Sequence, residues 1–145
     1  MDKINFSCIV DNTIPSKPIN LQILLDNAVM FKSSISSKKK ISFLFDDEKN
    51  NHREIKFLIS GKDNSYVMLD NTGNIINSAE LLITNISFND TDITDIITIS
   101  PLEYKHNYNG NGETVTGKFY NTAGCNGEIT LNFSTPIYLW LLENM

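Results

Sequence analysis

The sequence predicts an all-β fold, an antiparallel β-sandwich of jelly-roll type. Three observations carry this expectation. Short apolar segments recur about every 8–15 residues with turn residues between them. Several alternate apolar and polar residues with a period of two, as half-buried strands do. No long segment shows the 3.6-residue periodicity of an amphipathic helix.

In chain order, residues 3–10 read as a strand with Ile4, Phe6, Cys8 and Val10 on one face. DNTIPSKP follows, broken by Pro15 and Pro18. Residues 1–18 are therefore expected to form an N-terminal strand and linker arm, and residues 19–145 the sandwich domain. Residues 19–25 and 28–35 flank Asp26-Asn27, a pair that tolerates the positive φ of a tight hairpin turn. Lys38, Lys39 and Lys40 lead into strand 41–45 and suit a solvated turn or a guarded sheet edge. Residues 54–60 alternate cleanly, and a further short strand is expected at 66–69, before the turn-rich DNTGN of 70–74. Residues 80–89 form a longer strand. In 92–100 the spacing of Ile93, Ile96 and Ile97 is compatible with a helical turn, but the β-branched content favours a strand. Residues 103–129 carry five glycines and read mostly as loop, and 129–133 alternate again. The run Ile137–Leu142, behind Pro136, is read as a central closing strand, with Phe133, Tyr138 and Trp140 in the core.

A chain of 145 residues makes one domain and buries enough surface to fold without disulfides or metal. Net charge −5 and pI near 4.9 argue against nucleic-acid binding, which favours a basic face. The longest apolar run, six residues, is far shorter than the roughly 20 needed to cross a bilayer, so no membrane insertion is expected. The first residues lack the order of a secretory leader. Cys8 and Cys125 share no motif spacing, and their pairing stays open.

Residues 118–145, KFYNTAGCNGEITLNFSTPIYLWLLENM, resemble the ending of small β-sandwich proteins of marine tailed phages, the cyanobacterial myophage type. More loosely, residues 19–93 are similar in strand and turn order to calcium-dependent xylan-binding modules. The first resemblance implies a virion component, the second a jelly-roll-like sandwich.

No serine stands in a nucleophile elbow, and there is no phosphate-binding loop. His52 and His106 lack companions at metal spacing and read as surface residues. Asp90, Asp92 and Asp95 offer oxygens suited to calcium, although Asp and Asn are also what turns require. Tyr104, His106, Tyr108, Asn109 and Asn111 combine aromatic faces with amide and imidazole groups, the chemistry of a sugar site on an exposed loop. The expected protein is non-enzymatic and cofactor-free. It is a virion accessory protein of head or tail that binds other virion subunits, with a homo-oligomer left open. The alternative is a module that binds host surface glycans through residues 104–112.

Overall fold

The computed structural model describes residues 3–48, 51–62, 67–99, 102–108, 111–119, 121–123 and 126–144. Within them the chain forms thirteen strands, β1 (Lys3–Asn12), β2 (Ile19–Leu25), β3 (Ala28–Ile35), β4 (Lys39–Asp46), β5 (Asn51–Ser60), β6 (Val67–Leu69), β7 (Ile75–Ser78), β8 (Leu81–Phe88), β9 (Thr91–Asp92), β10 (Leu102–Tyr108), β11 (Asn111–Phe119), β12 (Thr122–Ala123) and β13 (Gly127–Thr135). Two short helices complete it, α1 (Thr94–Ile99) and α2 (Ile137–Asn144).

One sheet runs β12-β8-β1-β4, with β9 attached to β8, and the other runs β11-β10-β13-β5-β2-β3. All pairings are antiparallel, and the chain passes repeatedly from one sheet to the other, as in a jelly roll. A separate ribbon, β6-β7, lies outside both sheets. The alternation read from the sequence sets which face is buried. Ile4, Phe6, Cys8 and Val10 point inward from β1; Ile19, Leu21 and Ile23 from β2; and Ile55, Phe57 and Ile59 from β5. A chain of ring contacts fills the middle, with Phe88 at its hub: 5.6 Å from Phe6, 4.9 Å from Phe133, 6.5 Å from Phe45 and 6.1 Å from Trp140.

Over Lys3–Asn12 the segment expected as an arm is an inner strand, hydrogen-bonded to β4 on one side and β8 on the other. Asn12 anchors the crossover behind it. Its amide donates to the carbonyls of Lys17, at 2.7 Å, and Ile35, at 2.9 Å, and its carbonyl oxygen accepts from Ile14 N at 2.9 Å. The β2–β3 turn is the expected one, with φ of 48° at Asp26 and 71° at Asn27. Lys39 and Lys40 lie exposed on β4, an edge strand, where charge discourages pairing with another chain.

Three expectations are corrected. Ile137–Leu142 is not a closing strand; it begins helix α2, which packs across the end of β13. The Asp47 carboxylate accepts from Ile137 N at 3.0 Å and caps the helix, where negative charge is favoured. Ile137 and Leu141 are buried and Trp140 is half-buried, whereas Tyr138 is 61% exposed and does not belong to the core. Phe133, on β13, is a core residue. Residues 94–99 are helical, so the Ile93, Ile96 and Ile97 spacing is that of one buried helical face. Much of 103–129 is strand rather than loop, with β10 and β11 forming a hairpin against β13.

Cys8 carries a free thiol, buried from the sheet interior, and burial pushes its pKa up to about 12. Cys125 lies outside the described residues. In a Cys125→Ser variant at pH 8, an Ellman-type reagent should leave Cys8 unmodified until denaturant is added. Rapid labelling of the folded protein would contradict this burial.

Candidate functional site

Facing positions in an antiparallel sheet share a side, so the pairing register fixes what the six-stranded sheet shows to solvent. The outward row on β5 is His52, Glu54, Lys56, Leu58 and Ser60. Beside it β13 presents Ser134, Asn132, Thr130 and Glu128, and β2 presents Leu24, Gln22 and Asn20. Lys32 and Ser34 on β3, and Glu103 and Lys105 on β10, extend the same face. Hydroxyls and amides share it about equally with Lys and Glu side chains, and Leu24 and Leu58 are half-buried apolar spots near its middle.

The charges on this face are balanced. Lys56 Nζ lies 3.5 Å from Glu54, and Lys105 Nζ 3.4 Å from Glu103. Glu128 sits across from Lys105 in the register. A face of this kind has no strong field of either sign, and exposed pairs add little attraction for a polyanion.

Among the described residues, two clefts open on this face, at opposite ends of β5. One, of about 530 Å³, is lined by Asn20, Gln22, Lys32, Ser33, Ser34 and Ser60. Its amide is held in place: Ser34 Oγ donates to Asn20 Oδ1 at 2.7 Å, and the amide lies over Gly61, whose φ of +85° and lack of a Cβ permit the approach. The other, of about 310 Å³, is formed where α2 meets β5 and β13, and is lined by His52, Ser134, Thr135, Leu139 and Glu143 among others. His52 and Ser134 are cross-strand neighbours there. Among the described residues no hydrogen bond links His52 with Ser134 or Glu143, and a serine nucleophile needs a base within such reach.

Of the residues expected to form a sugar site at 104–112, the structure describes the side chains of Tyr104 and His106. Tyr104 is a core residue, 7% exposed, packed edge-on against Phe119 at 6.1 Å, with the His106 ring tilted against it at 4.5 Å. Tyr108 and Asn111 pair at the end of the β10–β11 hairpin, and Asn109 lies outside the described residues. His106 is half-buried. The calcium set is not assembled. Asp92 Oδ1 accepts from Thr94 N at 2.7 Å and so opens α1, Asp90 occupies a turn with φ of 65°, and Asp95 is exposed. Among the described residues no three His, Cys, Asp or Glu side chains gather as a metal site. In DNTGN, Asp70 Oδ1 accepts from Thr72 Oγ1, Asn74 N and Thr72 N at 2.7–3.0 Å. These bonds, the Thr72 hydroxyl first, hold its carboxyl below the usual carboxylate range. No helix of the described residues is long and apolar enough to cross a membrane.

The outer face of the six-stranded sheet escaped sequence reasoning because its residues are scattered over five strands. The signal was the outward set of each alternating segment, above all Lys56 and Leu58 within EIKFLIS and Thr130 and Asn132 within ITLNF.

Fold and face together define a jelly-roll β-sandwich with one open, polar, charge-balanced sheet. No family model and no curated protein matches the chain. Among solved structures it is similar to vCBM60, a carbohydrate-binding module, in complex with galactobiose. The TM-score is 0.47 and the identity 8%, over 88% of this chain and 98% of that one.

Proposed function

We propose that the protein is a non-enzymatic module that binds a neutral glycan on the outer face of its six-stranded sheet. The observation that carries this reading is the surface of that face. Amides and hydroxyls (Asn20, Gln22, Ser60, Thr130, Asn132, Ser134) share it with the apolar spots Leu24 and Leu58, which stand opposite Lys56 and Glu128 in the register. Sugars present hydroxyls that need donors and acceptors, and C–H surfaces that rest on apolar side chains. Balanced charge suits an uncharged polymer. The 104–112 loop takes no part in this reading.

Affinity electrophoresis through gels containing arabinoxylan, galactan, galactomannan or mixed-linkage β-glucan tests it. At least one polymer should retard the protein. The double variant Gln22→Ala, Asn132→Ala should weaken that retardation about tenfold or more, as expected for two lost hydrogen bonds, with the melting temperature unchanged. Failure of every polymer to retard the protein, or retardation indifferent to the double variant, overturns the reading.

A second reading, docking on another protein such as a virion subunit, draws on the outer side of α2. There Tyr138, Leu139 and Leu142 stand exposed on a helix with little polar character. Mass spectrometry of purified particles tests the virion case, and absence of the chain from them removes it.

A further inference from the structure

We infer that one linear glycan chain lies along β5 and fills both end clefts at once, so that the protein selects internal stretches of a long polymer over short sugars. The inference rests on the glycan reading above and adds a length and a direction to it.

The two clefts belong to the same outward row. His52 lines one and Ser60 the other, and they stand eight residues apart on a single strand. At the rise of an extended strand this is about 26 Å, a distance that a disaccharide does not cover and a hexasaccharide does. The row between them is continuous. Glu54, Lys56 and Leu58 run from cleft to cleft, with Asn132, Thr130 and Glu128 alongside on β13. Among the described residues β5 is bonded along its two edges, to β13 on one side and to β2 and the β2–β3 turn on the other, where Asp26 N donates to the Glu54 carbonyl and Asp26 Oδ1 accepts from Glu54 N, each at 2.9 Å.

Both ends are built before any ligand arrives. The Ser34–Asn20 hydrogen bond fixes the amide at one end, and Gly61 makes room for it. At the other end the Asp47 cap on α2 holds Leu139 and Glu143 as one wall of the cleft. Groups held in position lose little freedom on binding, so each end adds affinity that a flexible contact would not. Two such sites joined by one polymer act as a linked pair, and occupation of the first raises the local concentration at the second.

The experiment uses the full chain and the polysaccharide gels already described, with competition by oligosaccharides of the polymer that retards it. The hexasaccharide should compete at least tenfold better than the disaccharide. Asn20→Ala and Glu143→Ala should each weaken binding of the polymer and the hexasaccharide. Equal competition by disaccharide and hexasaccharide overturns the spanning chain and leaves the glycan reading in place. So does an effect of one end variant without the other, since a single cleft would then be the whole site. If no polymer retards the protein, the glycan reading and the inference fall together. Both substitutions are at surface positions, and thermal melting confirms that the variants stay folded.

Discussion

Replacing Phe88 with Ala should lower the unfolding free energy by about 3–5 kcal/mol, the cost of deleting a large ring from a packed interior. Phe88 is fully buried and touches rings from β1, β4, β13 and α2, so both sheets and the end helix lose contacts together. A domain of this size has about 5–15 kcal/mol in all. The urea midpoint should therefore fall by about 2 M at a typical m-value. Trp140→Ala, at the half-buried rim of the same cluster, should cost about half as much. A loss below about 1 kcal/mol for Phe88→Ala would mean that the two sheets do not pack through this cluster.

The second large effect lies in the backbone. A Cβ on Gly127 would stand 2.2 Å from the Lys105 carbonyl oxygen and 2.8 Å from His106 Cα. Neither is a flexible side-chain tip that can move aside. Gly127→Ala should force β10 away from β13, where Lys105–Glu128 and His106–Gly127 are paired. The expected cost is about 3 kcal/mol, at the upper end of overpacking. Hydrogen exchange should show the amides of β10 losing protection ahead of those of β5. Gly117→Ala is the control, because its Cβ would meet only His106 Nε2 at 3.8 Å, an ordinary contact. Equal stability of the two variants would mean that β10 does not sit against β13 as described.

These glycines also explain what the sequence concealed. Gly is depleted from strands, so a stretch holding Gly110, Gly112, Gly117, Gly124 and Gly127 reads as loop. At Gly127 the residue is required because another backbone approaches too closely for any side chain, a fact of tertiary structure. The helical state of Ile137–Leu142 is hidden for a related reason. Six apolar residues fit a buried strand or a short helix equally well, and the aromatic content tipped the reading toward strand. The Asp47 cap that favours the helix comes from ninety residues away in sequence. The same holds for α1, where the Ile93, Ile96 and Ile97 spacing outweighs β-branched propensity because those side chains meet the sandwich edge. The alternating centres of β1, β2, β5 and β13 were legible, β2 with its bounds, since a one-residue slip would turn each apolar set to water, whereas the polar start of β5, Asn51 to Arg53, reads as loop. The site was less legible. A surface assembled from alternate residues of five strands exists only once the register is known, whereas Tyr104 to Asn111 drew notice as a contiguous string and then placed its first tyrosine inside.

The central position of β1 also bears on how the chain acquires its shape. Its two neighbours are β4, some forty residues later, and β8, some eighty residues later. Within this sequence the first strand thus waits through some eighty residues of synthesis before it is flanked on both sides. Distant pairings of this kind slow folding and leave an apolar ribbon, Ile4 to Val10, waiting for partners during synthesis. A chaperone that shelters nascent chains would find its natural client segment there.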